Sequence, residues 1–388
     1  MRRRLAALGA ALGAAAVLAS GLSAAAAPGP GLLQRDAAAL HAAGAVGVAA
    51  VLDTPSGTQT AHSGTADLRT GAPVFPEAHY RAGSTTKTFI ATVVLQLVGE
   101  GRLSLDDTVE SRLPGLVSGN GNDGSRITIR QLLQHTSGLP NYTSVREVFP
   151  AGYSAAEYYA HRFRHYEAEE LVAGAMRLPP RFEPGTDWAY SNTNYILAGL
   201  IIERVTGHSW EEEVRDRIIR PLGLTGTYAP GDDPVLPPPA VHGYHTYEED
   251  GRTVDTTLFN ATAADASGAL ISTPRDINRF FGALIGGRLL EGPELAEMLH
   301  THPIPGEPGR GYGLGIETTP LSCGGFYWHH GGNALGYESE DGITVDGDRA
   351  VTVSVNSYDA ADTARQDAVD AGVRTLIDDA LCAGRTAD

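Results

Sequence analysis

Lysine is almost missing from this chain. Of its 29 basic residues, 28 are arginine and one is Lys87. Positive charge is short as a whole: 46 acidic residues give a formal net charge of −17. That balance excludes broad electrostatic attraction to nucleic acid or to an anionic membrane surface. Only 19% of the residues are charged against 42% hydrophobic, so the chain does not have the composition of a disordered protein and can bury a substantial core. With 47 glycines and 23 prolines it reads as rich in turns and loops rather than as a coiled coil. No convincing internal repeat is present, and 388 residues suit one large domain or two intertwined ones.

The scarcity of lysine makes its exception informative. Arginine does not lose its proton inside a protein, whereas a buried or crowded lysine can. A single lysine in a chain that otherwise writes positive charge as arginine is therefore a candidate for proton chemistry.

Met1 to Arg4 form a basic start, and Leu5 to Leu22 are almost wholly Ala, Leu, Gly and Val. Ala25-Ala26-Ala27 then offers a small-residue cleavage site before Pro28. The pattern predicts a secretory signal peptide over residues 1–27 and an extracellular mature protein. A permanent membrane anchor is the alternative, but small Ala and Gly insert weakly and no charged stop follows. Cleavage would remove three arginines and no acid, giving −17 − 3 = −20. Export also makes the two cysteines legible: Cys323 and Cys382 are the only possible pair, and an oxidising compartment favours a disulfide tying the C-terminal helix to a strand. A bridged sulfur cannot serve as a nucleophile.

Apolar runs predict a buried strand over Val46–Leu52, with Gln59–Thr65 returning beside it. Thr85–Leu97 has the pattern of a helix, with Ser84 at its start and Gly99 and Gly101 ending it. Residues 105–264 read as helical segments separated by Pro and Gly, among them Ile127–His135, Thr193–Val205 and Ser209–Ile219. Strand signals return at Gly311–Glu317, Phe326–His330 and Ile343–Asn356, the last around a hairpin-type Asp346-Gly347 turn. Arg365–Leu381 reads as a closing helix. The expected architecture is α/β (α+β): a sheet lobe from residues 28–104 and 265–388, a mainly helical lobe from 105–264, and a cleft at their junction.

Three short constellations carry chemistry. In Ser84-Thr85-Thr86-Lys87 a helix places Ser84 and Lys87 one turn apart on one face. A serine hydroxyl is a poor nucleophile until a neighbouring base takes its proton, and a desolvated lysine is such a base. The plainer alternative makes Ser84 a helix cap and Lys87 a solvated charge. In Tyr190-Ser191-Asn192 a phenol near Lys87 would relay a proton and an Asn amide would bond the lysine or a substrate carbonyl; alone, the segment reads equally as a capped helix with a packed tyrosine. In His330-Gly331-Gly332-Asn333, glycines let a substrate backbone lie against a strand edge and the following N–H groups can face an oxyanion; alone it is a Gly-rich turn. His329 and His330 point to opposite faces of a strand, and the other histidine pairs lack carboxylate or thiolate partners at metal spacing, so neither metal nor cofactor is expected.

In the order Ser-x-x-Lys, Tyr-x-Asn, His-x-Gly, these segments resemble the motif set of the serine penicillin-recognising enzymes: penicillin-binding proteins, serine β-lactamases of the class C type, and their esterase relatives. The resemblance is nearest to the secreted D-alanyl-D-alanine carboxypeptidases of actinomycetes. It extends over the mature chain through Leu132–Leu139, Tyr190–Tyr195, Ser267–Thr273 and Gly311–Gly315. It implies a β-lactamase/transpeptidase-like fold, an antiparallel sheet flanked by helices. It further implies Ser84 as acyl-accepting nucleophile, Lys87 as its proton partner, Tyr190 as general acid/base, Asn192 in the hydrogen-bond network, and His330 holding Tyr190 and the substrate from the sheet side. The backbone N–H groups of Ser84 and Asn333 would form the oxyanion hole, with Gly331 and Gly332 on the substrate strand. The Cys323–Cys382 pair resembles the carboxypeptidase disulfide.

One departure concerns specificity. The carboxypeptidase pattern implies arginines after Gly311–Gly315 to hold a substrate's terminal carboxylate, yet this chain has Ile316-Glu317-Thr318-Thr319-Pro320. Glu317 would repel a carboxylate if it faces the cleft, and Arg310 substitutes only if its loop folds inward. The expectation is a secreted, monomeric serine hydrolase without cofactor, stable anchor or nucleic-acid partner. Its substrate would be a small molecule or peptide: a peptidoglycan-type peptide, a β-lactam or an ester. D-Ala-D-Ala carboxypeptidase activity is the first reading. An esterase, D-amino-acid amidase or aminopeptidase is the second, and a non-catalytic penicillin-binding protein the third.

Overall fold

The computed structural model describes residues 31–384, so the segment read as a signal peptide lies outside the described residues. Ten short strands build the main sheet: Gly47–Thr54 (β1), Gly57–Asp67 (β2), Ala72–Pro73 (β3), His302–Pro303 (β4), Gly311–Tyr312 (β5), Glu317–Pro320 (β6), Phe326–His329 (β7), Gly332–Ala334 (β8), Tyr337–Thr344 (β9) and Ala350–Val355 (β10). Five of the helices pack on this sheet or fill the core behind it: Leu32–Ala43 (α1), Thr86–Gly99 (α2), Thr193–Thr206 (α3), Pro274–Ile285 (α4) and Thr363–Cys382 (α5). The strand order is β4-β5-β6-β7-β9-β10-β1-β2-β3, with β8 pairing β9, and every pairing is antiparallel. Because β1 lies beside β10, with Val48 opposite Val355, strands from both ends of the chain meet at the middle of the sheet.

Side chains alternate across a strand, so each central strand feeds two cores. Val48, Ala50 and Leu52 of β1 join Val351, Val353 and Val355 of β10 under α1 and α5, packing on Leu33, Leu40, Leu376 and Leu381. Ala49 points the other way, into the larger core holding Phe89, Ile90 and Val94 of α2 and Ile196 and Leu197 of α3. Burial on both faces is why β1 and β10 read as continuous apolar runs. On α4, Asn278 pins helix to sheet: its amide donates to the carbonyls of Val51 (3.1 Å) and Ala350 (3.2 Å) and accepts from Thr352 (2.7 Å). Cys323, in the turn after β6, is disulfide-bonded to Cys382 at the end of α5. No helix among the described residues is long and apolar enough to cross a membrane.

Several local readings change. Helix α2 starts at Thr86, and Ser84 sits in a separate 3-10 turn over Gly83–Thr85, so Ser84 is not a helix cap. The run read as one strand, Gly311–Glu317, folds back on itself: β5 and β6 pair with Tyr312 opposite Glu317. Glycine makes that reversal possible. Gly315 has φ +74°, and a Cβ on Gly313 would lie 2.2 Å from the Met298 carbonyl. The helix read over Ile127–His135 shrinks to Ile129–Leu133, opened by a Thr128–Gln131 capping box and followed by His135 at φ +62°. The Asp346-Gly347 turn joins β9 to β10, closed by the Gly347 N–H donating to the Thr344 carbonyl at 2.8 Å.

Candidate active site

The turn that carries Ser84 is fixed from three sides. Ala82 N–H donates to the Leu270 carbonyl (2.9 Å), and the Thr86 hydroxyl donates to the Gly83 carbonyl (2.7 Å) while accepting from Leu270 N–H (3.2 Å). The Thr85 hydroxyl donates to the His330 carbonyl at 2.9 Å, tying the turn to the sheet. Gly83 has φ +54°, and a Cβ there would meet the backbone of Asn333 at 2.6 Å. Only glycine lets β8 lie directly against the serine turn.

Lys87, the second residue of α2, is fully buried. Its Nζ lies 3.0 Å from Ser84 Oγ, 2.7 Å from Asn192 Oδ1 and 2.6 Å from the Ser267 carbonyl. Two of these partners only accept. A neutral amine that donates its two hydrogens to them keeps its lone pair for the third, the Ser84 hydroxyl, which can itself donate. Burial pushes the amine well below its ordinary value, and the nearby Glu317 charge opposes that shift. Asn192 stands at the N-cap of α3 yet makes no side-chain cap bond, because its amide is engaged with Lys87.

Tyr190 reaches the same centre from the loop before α3. Its ring centroid is 4.9 Å from Lys87 Nζ. Burial raises the phenol above its ordinary value, with a hydrogen bond to Ser84 opposing, so Tyr190 is a protonated donor. His330 bonds Tyr312, whose ring stands edge-on to that of Tyr190 with centroids 6.4 Å apart. Its Nδ1 lies 2.8 Å from the Gly331 carbonyl, which can only accept, so Nδ1 carries the proton and Nε2 accepts from the Tyr312 hydroxyl at 2.9 Å. Burial first and Lys87 second push His330 down to about 3, keeping it neutral. Its backbone N–H donates to the buried Asp341 carboxyl at 3.0 Å.

Asn333, on β8, and Ser84 border both cavities that flank the centre. That junction is where two backbone N–H groups can meet an oxyanion. Strand β8 approaches so closely that a Cβ on Gly332 would fall 1.9 Å from the Ala82 carbonyl oxygen. Gly332→Ala must therefore push β8 away from the serine turn. With one oxyanion donor displaced, kcat for an activated ester is expected to fall by about 10²–10³, alongside a lower Tm. Unchanged ester turnover in a folded variant would exclude this role for β8.

The two cavities differ in character. One, of about 400 Å³, is bordered by Tyr190 and by Glu317, Glu338, Glu340 and Asp370. The other, of about 160 Å³, is bordered by Asn192 and by Tyr142, Phe149, Phe259 and Leu335. Glu317 thus faces the cleft, and so does Arg310, which donates to Glu317 at 2.6 Å and pairs with Glu307. Burial raises Glu317, with His329 and Arg310 opposing. Glu338 is raised by burial and then by Asp370, and Gln366 bridges the two by donating to both.

The structure brings together Ser84, Lys87, Tyr190, Asn192, His330 and Asn333, with Gly331, Gly332, Arg310 and Glu317 on the adjoining cavity wall. Ser267, Tyr312 and His135 also belong to the centre, although sequence reasoning gave them no role. Their signal was present in Ser267-Gly268, Gly311-Tyr312 and His135-Thr136-Ser137-Gly138, but none of these spacings announces a partner.

Comparison with known proteins fits this geometry. The Beta-lactamase family profile matches residues 33–374. Penicillin-binding protein 4 of Amycolatopsis lactamdurans is 33% identical over 163 residues, which cover 42% of this chain and 39% of that protein. Putative penicillin-binding protein PbpX of Bacillus subtilis is 27% identical over 70% of this chain and 61% of its own length, so the chain spans less than two thirds of both curated relatives. Among solved structures, a D-stereospecific amidohydrolase from Streptomyces sp. superposes with a TM-score of 0.80 at 40% identity, covering 86% of this chain and 96% of its own. The D-amino acid amidase of Ochrobactrum anthropi SV3, complexed with L-phenylalanine amide, gives 0.77 at 30% identity over 89% and 96%. A serine turn packed on a broken strand, a buried lysine behind it and a family profile spanning the described fold agree: the chain belongs to the Beta-lactamase family and has its serine-hydrolase fold.

Proposed function

We propose that the protein is an exported serine amidohydrolase that acylates Ser84 with amino-acid amides, including those of D configuration, and selects against substrates ending in a free carboxylate. The observation that carries this reading is Glu317. It faces the cavity beside Ser84, and the one arginine there, Arg310, is already committed to it. A substrate carboxylate in that cavity would meet the carboxyl groups of Glu317, Glu338, Glu340 and Asp370 with no arginine left to pair it, and an uncompensated charge in a desolvated space is costly. A neutral amide or an amine meets no such opposition. The similarity to two amidohydrolase structures supports the same choice, and the Cys323–Cys382 disulfide supports export.

Lys87 Nζ takes the Ser84 proton as Oγ attacks the amide carbon, and the new oxyanion sits against the N–H groups of Ser84 and Asn333. Tyr190, protonated and bordering the larger cavity, gives its proton to the departing nitrogen and recovers one from Lys87. The C–N bond breaks, the amine leaves into the acidic cavity, and water then hydrolyses the Ser84 ester by the same proton path.

A second reading, D-Ala-D-Ala carboxypeptidase, draws on the penicillin-binding relatives and on Arg310 facing the cleft. Turnover of a D-amino-acid amide, a D-Ala-D-Ala peptide and that peptide's C-terminal amide separates the two. The amides are expected to exceed the free acid in kcat/KM by about tenfold or more, since a charged group left unpaired in a desolvated cavity costs about 1–3 kcal/mol or more. A free acid turned over as well as its amide favours the carboxypeptidase.

A further inference from the structure

Tyr190 lies in a loop, and something must hold its phenol in place. The residues on either side of it are both bound to one histidine. Ala189 N–H donates to the backbone carbonyl of His135 at 3.0 Å, and Ser191 N–H donates to His135 Nδ1 at 3.3 Å. Between those two bonds the His135 ring lies against the Tyr190 ring, with centroids 4.3 Å apart.

The histidine is itself over-determined. It is fully buried and takes φ +62°, a conformation uncommon for any residue but glycine. Its Nδ1 also accepts from the Asn194 amide at 2.9 Å. The orientation of that amide is set by Ser137, whose hydroxyl donates to the Asn194 oxygen at 2.7 Å. With Nδ1 accepting, the ring proton is on Nε2, which has no hydrogen-bond partner. The ring also packs on Tyr312, at 4.7 Å, and on Tyr195, at 5.4 Å. Burial, and after it Lys87, hold the imidazole well below its ordinary value, so it stays uncharged. An uncharged, strained and doubly bonded histidine against the general acid needs a reason that core packing does not supply: an apolar side chain would fill the space without leaving an unpaired N–H.

We propose that His135 is a positioning residue for Tyr190: it clamps the backbone on both sides of the tyrosine and braces its ring, so that the phenol points at the departing nitrogen. The inference rests on the amidohydrolase reading, in which Tyr190 protonates the leaving group.

The role has a signature that a purely structural one lacks. An amide nitrogen must be protonated as it leaves, whereas p-nitrophenolate leaves without help. His135→Ala removes the Nδ1 acceptor and the ring. It is expected to lower kcat on a D-amino-acid amide by about 100-fold, the scale of a misplaced catalytic group. Acylation by the matching p-nitrophenyl ester should stay within a few-fold. His135→Asn keeps an acceptor near the Nδ1 position and tolerates positive φ, so it should recover amide turnover to within about tenfold of the parent. If the alanine variant does not fold, the asparagine variant alone decides: any loss must be larger on the amide than on the ester. Equal losses on both substrates, or no loss on either, would overturn the proposal. Failure of the parent enzyme to turn over any amide while still acylating with the ester would instead sink the amidohydrolase reading.

Discussion

Ser84→Ala is expected to eliminate covalent capture of a penicillin or an activated phosphonate and to lower kcat/KM by about 10⁶, the scale on which a hydrolytic serine nucleophile is lost. The size of the effect follows from the geometry. Among the described residues Ser84 supplies the hydroxyl placed 3.0 Å from Lys87 Nζ, and the remaining two partners are the Asn192 amide oxygen and a backbone carbonyl. The variant should fold, because Ser84 is half-buried and the bonds that hold its turn come from Ala82, Thr85 and Thr86. Intact-mass spectrometry is the measurement: the parent gains the mass of the acyl group and the variant gains nothing. An adduct of undiminished yield on the variant would move the nucleophile elsewhere.

Lys87→Arg keeps the positive charge and removes the ability to give it up. A guanidinium stays protonated under all working conditions, so it cannot accept the serine proton, and its planar fork does not match three partners arranged around one nitrogen. Acylation is expected to slow by about 10³–10⁴, the contribution of a positioned general base. The pH dependence carries the sign. The parent needs the neutral amine, so its acylation rate falls as pH drops below the depressed Lys87 value, which burial has moved well under 10.5. In the arginine variant that limb should be absent and the rate uniformly low. Stopped-flow acylation by an activated ester across the pH range tests both points. A variant acylating within tenfold of the parent would show that Tyr190, and not Lys87, is the base.

Much of the site is legible in sequence because it is local or ordered. Ser84 and Lys87 share one turn, and a composition with a single lysine draws the eye to it. Tyr190-Ser191-Asn192 and His330-Gly331-Gly332 gain meaning only from their order. What escapes is what depends on partners far apart in sequence. Ser267 contributes only a carbonyl, which every residue has. His135 acts through its backbone and one ring nitrogen on residues more than fifty positions away. The reversal between β5 and β6 was hidden because Gly311–Glu317 has the composition of a strand, and only positive φ at Gly315 betrays a turn. That reversal decides where Glu317 points, and with it the character of the cleft.

The one lysine has a consequence outside catalysis. Because its side chain is fully buried, the outer surface of the fold offers no lysine amine to a reagent. Amine-directed dyes, cross-linkers and acylating supports will find no lysine on the native molecule, and Lys87 becomes available to them only when α2 opens. Modification at that position therefore reads out unfolding directly, with a signal of one site per chain.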